Sequence, residues 1–185
     1  MKPQTEGFGI TTVQLCWGRS KMSQSVAFEV TRELEAFIIN EAKLADEGQY
    51  TDWFALWAKD AVYWVPLNEN DDPAAKVSHL YDNYNRLTTR TKQLATGNRF
   101  SQVPISGMRR VISNYEFFEE ADGKYRVEAN FYLPEYSIQS THNFRIWSGR
   151  YNYVLSRKDD GFQIHMKKVV LVNAIEPVST LSFLI

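Results

Sequence analysis

The stretch Ala121-Asp122-Gly123-Lys124-Tyr125-Arg126-Val127-Glu128-Ala129-Asn130-Phe131-Tyr132-Leu133 decides the fold class. Its first four residues are turn formers, and from there Tyr125, Val127, Ala129, Phe131 and Leu133 alternate with Arg126, Glu128, Asn130 and Tyr132. Side chains on a strand point to opposite faces with period two, so the pattern is a half-buried strand entered through a tight turn. Upstream, residues 110–119 supply the partner strand of a hairpin. Downstream, a third strand spans about 144–157 and Lys158-Asp159-Asp160-Gly161 turns the chain. Phe162, Ile164 and Met166 then open a fourth strand that runs through Val169-Val170-Leu171-Val172.

Before Pro104 the apolar residues recur at helical spacing instead. Leu34, Phe37, Ile38, Ala42, Leu44 and Ala45 predict an amphipathic helix from Val30 that ends at Gly48. A short helix follows Tyr50 and buries Trp53, Phe54 and Trp57. Ala61-Val62-Tyr63-Trp64-Val65, rich in β-branched and aromatic residues, reads as a strand stopped by Pro66. Val77, Leu80, Tyr81, Tyr84, Leu87, Thr88, Thr91, Leu94 and Ala95 predict a long helix over 77–95, stopped by Gly97. Its outer face carries Asp82, Arg86 and Arg90 at i,i+4 spacing. Helices first and consecutive hairpins afterwards describe an α+β fold, a curved antiparallel sheet wrapped around N-terminal helices. Such a sheet encloses a cone-shaped hollow, either filled by aromatic side chains or open as a pocket.

The 185 residues suit one domain. Residues 1–24 lack periodicity and read as an N-terminal arm, with Met22 as an alternative start, and 25–185 read as a single cone-shaped domain. Hydrophobic residues at 44% and aromatics at 14% give material for a packed core and exclude disorder for most of the chain. The net charge of -1 gives no global field to recruit nucleic acid or an anionic membrane, and no run of apolar residues reaches the roughly 20 that a membrane span needs.

Several chemistries find no support in the residues. No glycine-rich phosphate loop is present, and the lone Cys16 lies in the unpatterned arm, where an inert thiol is the expectation. His79, His142 and His165 stand in no local metal-ligand spacing. A Rieske-type iron–sulfur centre takes two Cys and two His, which a chain with one Cys cannot provide. His79 is expected on the outer side of a first helical turn, His142 in a loop and His165 on the polar face of its strand. The adjacent pairs Arg109-Arg110 and Lys167-Lys168 read as a sheet rim or a partner surface, not a nucleic-acid site. General acid–base catalysis in the hollow is the enzyme reading that residue types allow, with Tyr50, Asp52, Asp60, Tyr63, His79 and His165 as its candidates. Among these, Asp60, Tyr63, His79 and His165 make the set for a cofactor-free dehydratase, isomerase or cyclase.

A family resemblance enters with Glu41-Ala42-Lys43-Leu44-Ala45-Asp46, Tyr50-Thr51-Asp52-Trp53-Phe54-Ala55-Leu56 and Asp60-Ala61-Val62-Tyr63-Trp64-Val65-Pro66. It continues through the tyrosine-rich residues 81–96, Ser106-Gly107-Met108-Arg109-Arg110-Val111-Ile112-Ser113-Asn114, Ser148-Gly149-Arg150-Tyr151 and Lys167-Lys168-Val169-Val170-Leu171-Val172-Asn173, to the apolar Leu181-Ser182-Phe183-Leu184-Ile185. In order and spacing these segments resemble the small (β) subunit of bacterial aromatic-ring-hydroxylating dioxygenases. The resemblance implies a nuclear-transport-factor-2-like cone and a cytoplasmic, non-catalytic subunit that stabilises and assembles a larger α subunit, as an α3β3 hexamer, for aromatic-compound catabolism. It also implies that the Rieske [2Fe-2S] cluster and mononuclear Fe(II) sit in that partner, which a ferredoxin and reductase supply with electrons. No catalytic, cofactor or metal residue is then expected in this chain. Arg109, Arg110, Lys167, Lys168 and Phe183 are the expected contact residues, because arginines and aromatics are enriched where subunits meet.

Overall fold

The computed structural model describes residues 26–97, 105–138, 142–178, 181 and 183–185. Cys16 and the N-terminal arm lie outside the described residues. The elements run α1 (Phe28–Asp46), α2 (Tyr50–Ala55), β1 (Trp57–Pro66), β2 (Ser78–Asn83), α3 (Tyr84–Ala95), β3 (Gly107–Met108), β4 (Val111–Glu119), β5 (Tyr125–Tyr136), β6 (Phe144–Lys158) and β7 (Gly161–Leu171). One sheet carries the order β2-β1-β7-β6-β5-β3, with β4 also paired to β5. All pairings are antiparallel except β1 with β7, a parallel junction that the hairpin reading did not contain.

Helix α1 buries Leu34, Ile38, Glu41, Ala42 and Ala45, a stripe at spacings of three and four, against the concave side of the sheet. Gly48 ends the helical run at φ +70, a left-handed conformation that glycine adopts without penalty. The sheet answers with Val127, Ala129, Phe131 and Leu133 from β5, Trp147, Tyr151, Tyr153 and Leu155 from β6, and Phe162, Ile164, Val169 and Leu171 from β7. Phe131 and Tyr151 stack with ring centroids 4.1 Å apart. At Gly149 on β6, an added Cβ would lie 2.0 Å from the Val170 carbonyl oxygen, so only glycine lets β6 and β7 approach there.

The long helix over 77–95 is corrected to a strand followed by a shorter helix. Ser78–Asn83 pairs with β1 through Val65↔Leu80, Trp64↔Tyr81, Tyr63↔Asp82 and Val62↔Asn83. Leu80 and Asp82 are buried while Tyr81 and Asn83 are exposed, which is period two. Two forces override the helical spacing. The free edge of β1 supplies a backbone ladder, and the Asn83 side chain accepts the Arg86 amide as an N-cap, fixing the helix start at Tyr84. Trp57, expected in α2, opens β1 instead.

A second departure lies in β7. Val154 pairs with Met166 but Leu155 pairs with Ile164, leaving His165 as the extra residue of a β-bulge. On the other flank, β1 accommodates four residues between Trp57 and Val62 while β7 accommodates one. The bulge changes the parity of the strand, so Met166 turns outward and Lys167 turns inward.

Candidate functional site

On the concave side the bulge delivers Lys167 into the space above α1, where no part of its side chain reaches solvent. Its Nζ donates to Glu41 Oε1 at 2.9 Å. Trp53 Nε1 donates to the same oxygen at 2.6 Å, and Tyr153 OH donates to Oε2 at 3.0 Å. The rings of Tyr151 and Tyr153 add cation–π contacts to the ammonium at 4.6 and 5.5 Å. Burial pushes the Lys167 ammonium down to about 8, against the pull of Glu41. Burial alone would raise Glu41, but Lys167 and Arg110 together hold it below its ordinary value. At neutral pH the pair is therefore ionised, with the proton on Lys167.

A second buried pair joins the end of α1 to the residue before β4. Arg110 donates through Nε to Asp46 Oδ1 at 2.8 Å, through Nη1 to Tyr151 OH at 3.2 Å and through Nη2 to the Leu184 carbonyl at 2.7 Å. Its guanidinium is 1% exposed. Tyr63 OH donates to the Ile185 carbonyl at 2.7 Å and accepts the Ile185 amide at 2.9 Å. Phe183 packs edge-on against Trp147 with centroids 5.5 Å apart, and Phe183, Leu184 and Ile185 are all buried. Burial pushes the Tyr63, Tyr151 and Tyr153 hydroxyls up, so all three stay protonated across the ordinary pH range. Among the described residues, indoles, phenols and the segment Phe183–Ile185 are buried in the hollow.

Asp60 and Tyr63 leave β1 on different sides. Tyr63 points inward, while Asp60 is exposed on the convex face and its carboxylate accepts His165 Nδ1–H at 2.8 and 3.0 Å. His79 does not join them. It lies on β2, not on a helical turn, with Nε2 2.6 Å from the Ala174 carbonyl. His142 is exposed outside the regular elements at φ +44. Tyr50 is buried at the start of α2 and Asp52 is exposed in its first turn. The four residues of the acid–base set thus do not converge on one cavity.

Of the five expected contact residues, Arg110, Lys167 and Phe183 are spent inside the fold. Arg109 is 72% exposed beside Glu47 at 3.7 Å, and Lys168 lies on the convex face over Trp64, bonded to the Glu69 carbonyl. The sequence did carry a signal for this division. Neighbouring residues of a strand point to opposite faces, so one lysine of an adjacent pair must face the core. The convex face also carries an apolar patch that residue-by-residue reading missed. Tyr132, Tyr136, Phe144 and Ile146 are all exposed, and the pairings Tyr136↔Phe144 and Pro134↔Ile146 set them side by side. Val111, opposite Tyr132, extends it.

No group of three or more His, Cys, Asp or Glu side chains able to hold a metal ion occurs among the described residues, and no described helix is long and apolar enough to cross a membrane. With one Cys in the whole sequence, the donor set does not fit a Rieske cluster.

Comparison with known proteins gives these features a context. Residues 40–176 match the family described as ring hydroxylating beta subunit. The chain is 26% identical over 155 residues to the toluate 1,2-dioxygenase subunit beta of Pseudomonas putida, covering 80% of this chain and 92% of that one. The crystal structure of the beta subunit of the benzoate 1,2-dioxygenase from Burkholderia mallei superposes with a TM-score of 0.65 at 23% identity, over 81% of this chain and 93% of that one. A naphthalene 1,2-dioxygenase structure with indole in its active site gives a TM-score of 0.73 at 13% identity, over 86% and 88%. The likeness in structure carries the fold, and the match over most of the domain carries the family: the chain belongs to the ring hydroxylating beta subunits.

Proposed function

We propose that this chain works in the cytoplasm as the non-catalytic small subunit of an aromatic-ring-hydroxylating dioxygenase, holding a larger oxygenase subunit in an α3β3 assembly for aromatic catabolism. The Rieske cluster and mononuclear iron belong to that larger subunit, which a ferredoxin and reductase supply. The observation that carries this reading is the filled cone. The space in which a freestanding enzyme of this shape would take its substrate holds Trp53, Tyr63, Tyr151, the Glu41–Lys167 pair and Phe183–Leu184–Ile185. What remains at the surface is contact material, since an exposed contiguous apolar patch of Tyr132, Tyr136, Phe144 and Ile146 is the kind of surface that proteins bury against partners. We assign the large-subunit contact to this patch, and keep Arg109 at the end of α1 and Lys168 beside Trp64 as separate candidate contacts.

The test is native mass determination of the chain produced alone and together with its large subunit. The expected product is a hetero-oligomer whose iron all resides on the larger chain. A metal-free homo-oligomer that ignores the larger chain would sink the proposal. Phe144→Asp with Ile146→Asp should release the small subunit while leaving it folded, whereas unchanged assembly would move the contact elsewhere.

A further inference from the structure

The convex face holds a group that the subunit reading does not use. Asp60 on β1, His165 on β7 and Ser156 on β6 come from three neighbouring strands, and the bulge at His165 aims the imidazole between the other two. The Asp60 carboxylate can only accept, so His165 Nδ1 carries the proton of the 2.8 Å contact. Nε2 is then the acceptor, and the Ser156 hydroxyl, 2.9 Å away, donates to it. Gln163 Nε2 donates to Ser156 Oγ at 3.1 Å, which directs the serine proton toward the imidazole. Nucleophile, base and orienting carboxylate are thus in hydrogen-bonded series.

The imidazole is sheltered, with its side chain 17% exposed, and the Asp60 carboxylate is open to solvent. On the same face of β6, two residues from Ser156, Val154 lines an open cleft of about 340 Å³ with Ala121, Glu120, Asp122 and Lys124. Ser156 pairs with Gln163 across the β6–β7 ladder, so its strand presents no turn-borne pair of amides to a developing oxyanion. An electrophile used here must therefore carry a good leaving group.

We propose that Ser156, His165 and Asp60 form a nucleophile relay on the convex face that accepts an acyl group from small activated esters bearing a short apolar acyl chain. Ser156 Oγ bonds to the ester carbonyl carbon as its proton passes to His165 Nε2, and the carbonyl–leaving-group bond breaks to release the phenolate or alkoxide. His165 returns the proton to the leaving group or to solvent. Water then attacks the acyl-serine, gives its proton to His165 and releases the carboxylic acid, restoring Ser156. Asp60 is a positioning residue, holding the imidazole tautomer that leaves Nε2 free.

The experiment treats the full chain with p-nitrophenyl acetate, follows nitrophenolate release and locates the acetyl group by peptide mass spectrometry. Ser156 should acetylate ahead of every other serine, and Ser156→Ala should abolish that label. His165→Gln should slow acetylation about 100-fold, the usual contribution of a general base. His165→Gly should recover on addition of free imidazole, which separates a lost base from a distorted bulge. Asp60→Asn should slow the reaction, with Asp60→Glu recovering part of the loss. Labelling of Ser156 no faster than that of other exposed serines overturns the proposal. So does a rate unchanged in His165→Gln, or a His165→Gly loss that imidazole leaves in place while the tryptophan circular dichroism remains native.

Discussion

The two faces of β6 and β7 use the same residue types to opposite ends. On the concave face, Lys167 and Glu41 neutralise each other out of reach of water, with Trp53, Tyr153 and Tyr151 completing their shell. On the convex face, Asp60, His165 and Ser156 form an equally well-ordered series, but one that solvent reaches through Asp60. A buried charge must be answered by the fold itself, because removing its partner leaves an uncompensated ion in a poorly polarisable medium. A half-exposed group has water as an alternative partner and contributes little to stability. Charge on the inside of this cone is therefore architecture, and reactivity is to be sought outside.

Substitutions on the two faces sharpen that contrast. Lys167→Met should cost about 3–5 kcal/mol in urea unfolding, because Glu41 is left buried and unpaired. Adding Glu41→Gln should restore most of the loss, and a double variant as unstable as the single one would break the argument. Phe183→Ala should cost about 3 kcal/mol through the void it leaves beside Trp147, read as a lower urea midpoint at unchanged slope.

The pH dependence has a definite sign. Because the folded-state Glu41 titrates below its ordinary value of 4.5, its contribution is fully present above that value and is lost as pH falls through the lower folded one. Stability measured downward from pH 5 should therefore fall less steeply in Glu41→Gln/Lys167→Met than in the natural chain. At the small end, Phe144→Ser on the convex patch should change stability by no more than about 0.5 kcal/mol, while its effect on assembly with the large subunit is measurable by native mass.

Much of this division was legible in the residues. Period-two alternation placed β4 through β7, and the apolar stripe of α1 placed the helix beneath them. The pattern around Val77–Leu80–Tyr81–Tyr84 misled, because spacings of three and four also occur where a strand with alternating burial runs directly into a helix. Only the edge of β1, distant in the chain, decides between the two. Glu41 announced itself weakly, as an acid three residues from Ile38 on the apolar stripe, yet its partner stands 126 residues away. The bulge that turns Lys167 inward and His165 outward has no local signature in Gln163-Ile164-His165-Met166. Residue type alone marks Asp60 and His165 as candidates for acid–base chemistry, but Ser156 joins them only through the pairing of β6 with β7. The filling of the cone by Phe183, Leu184 and Ile185 rests on hydrogen bonds to Tyr63 and Arg110 that no periodicity encodes.

The parallel junction of β1 with β7 also sets a timetable for synthesis. β1 leaves the ribosome early and finds β2 at once, but its other neighbour is made roughly a hundred residues later, about 5–20 s at ordinary elongation rates. Throughout that interval Trp57, Tyr63 and Val65 have neither the sheet nor the closing segment Phe183–Ile185 to cover them. The nascent chain is thus at its most adhesive while still tethered, until β7 and, after it, Phe183–Ile185 cover these side chains.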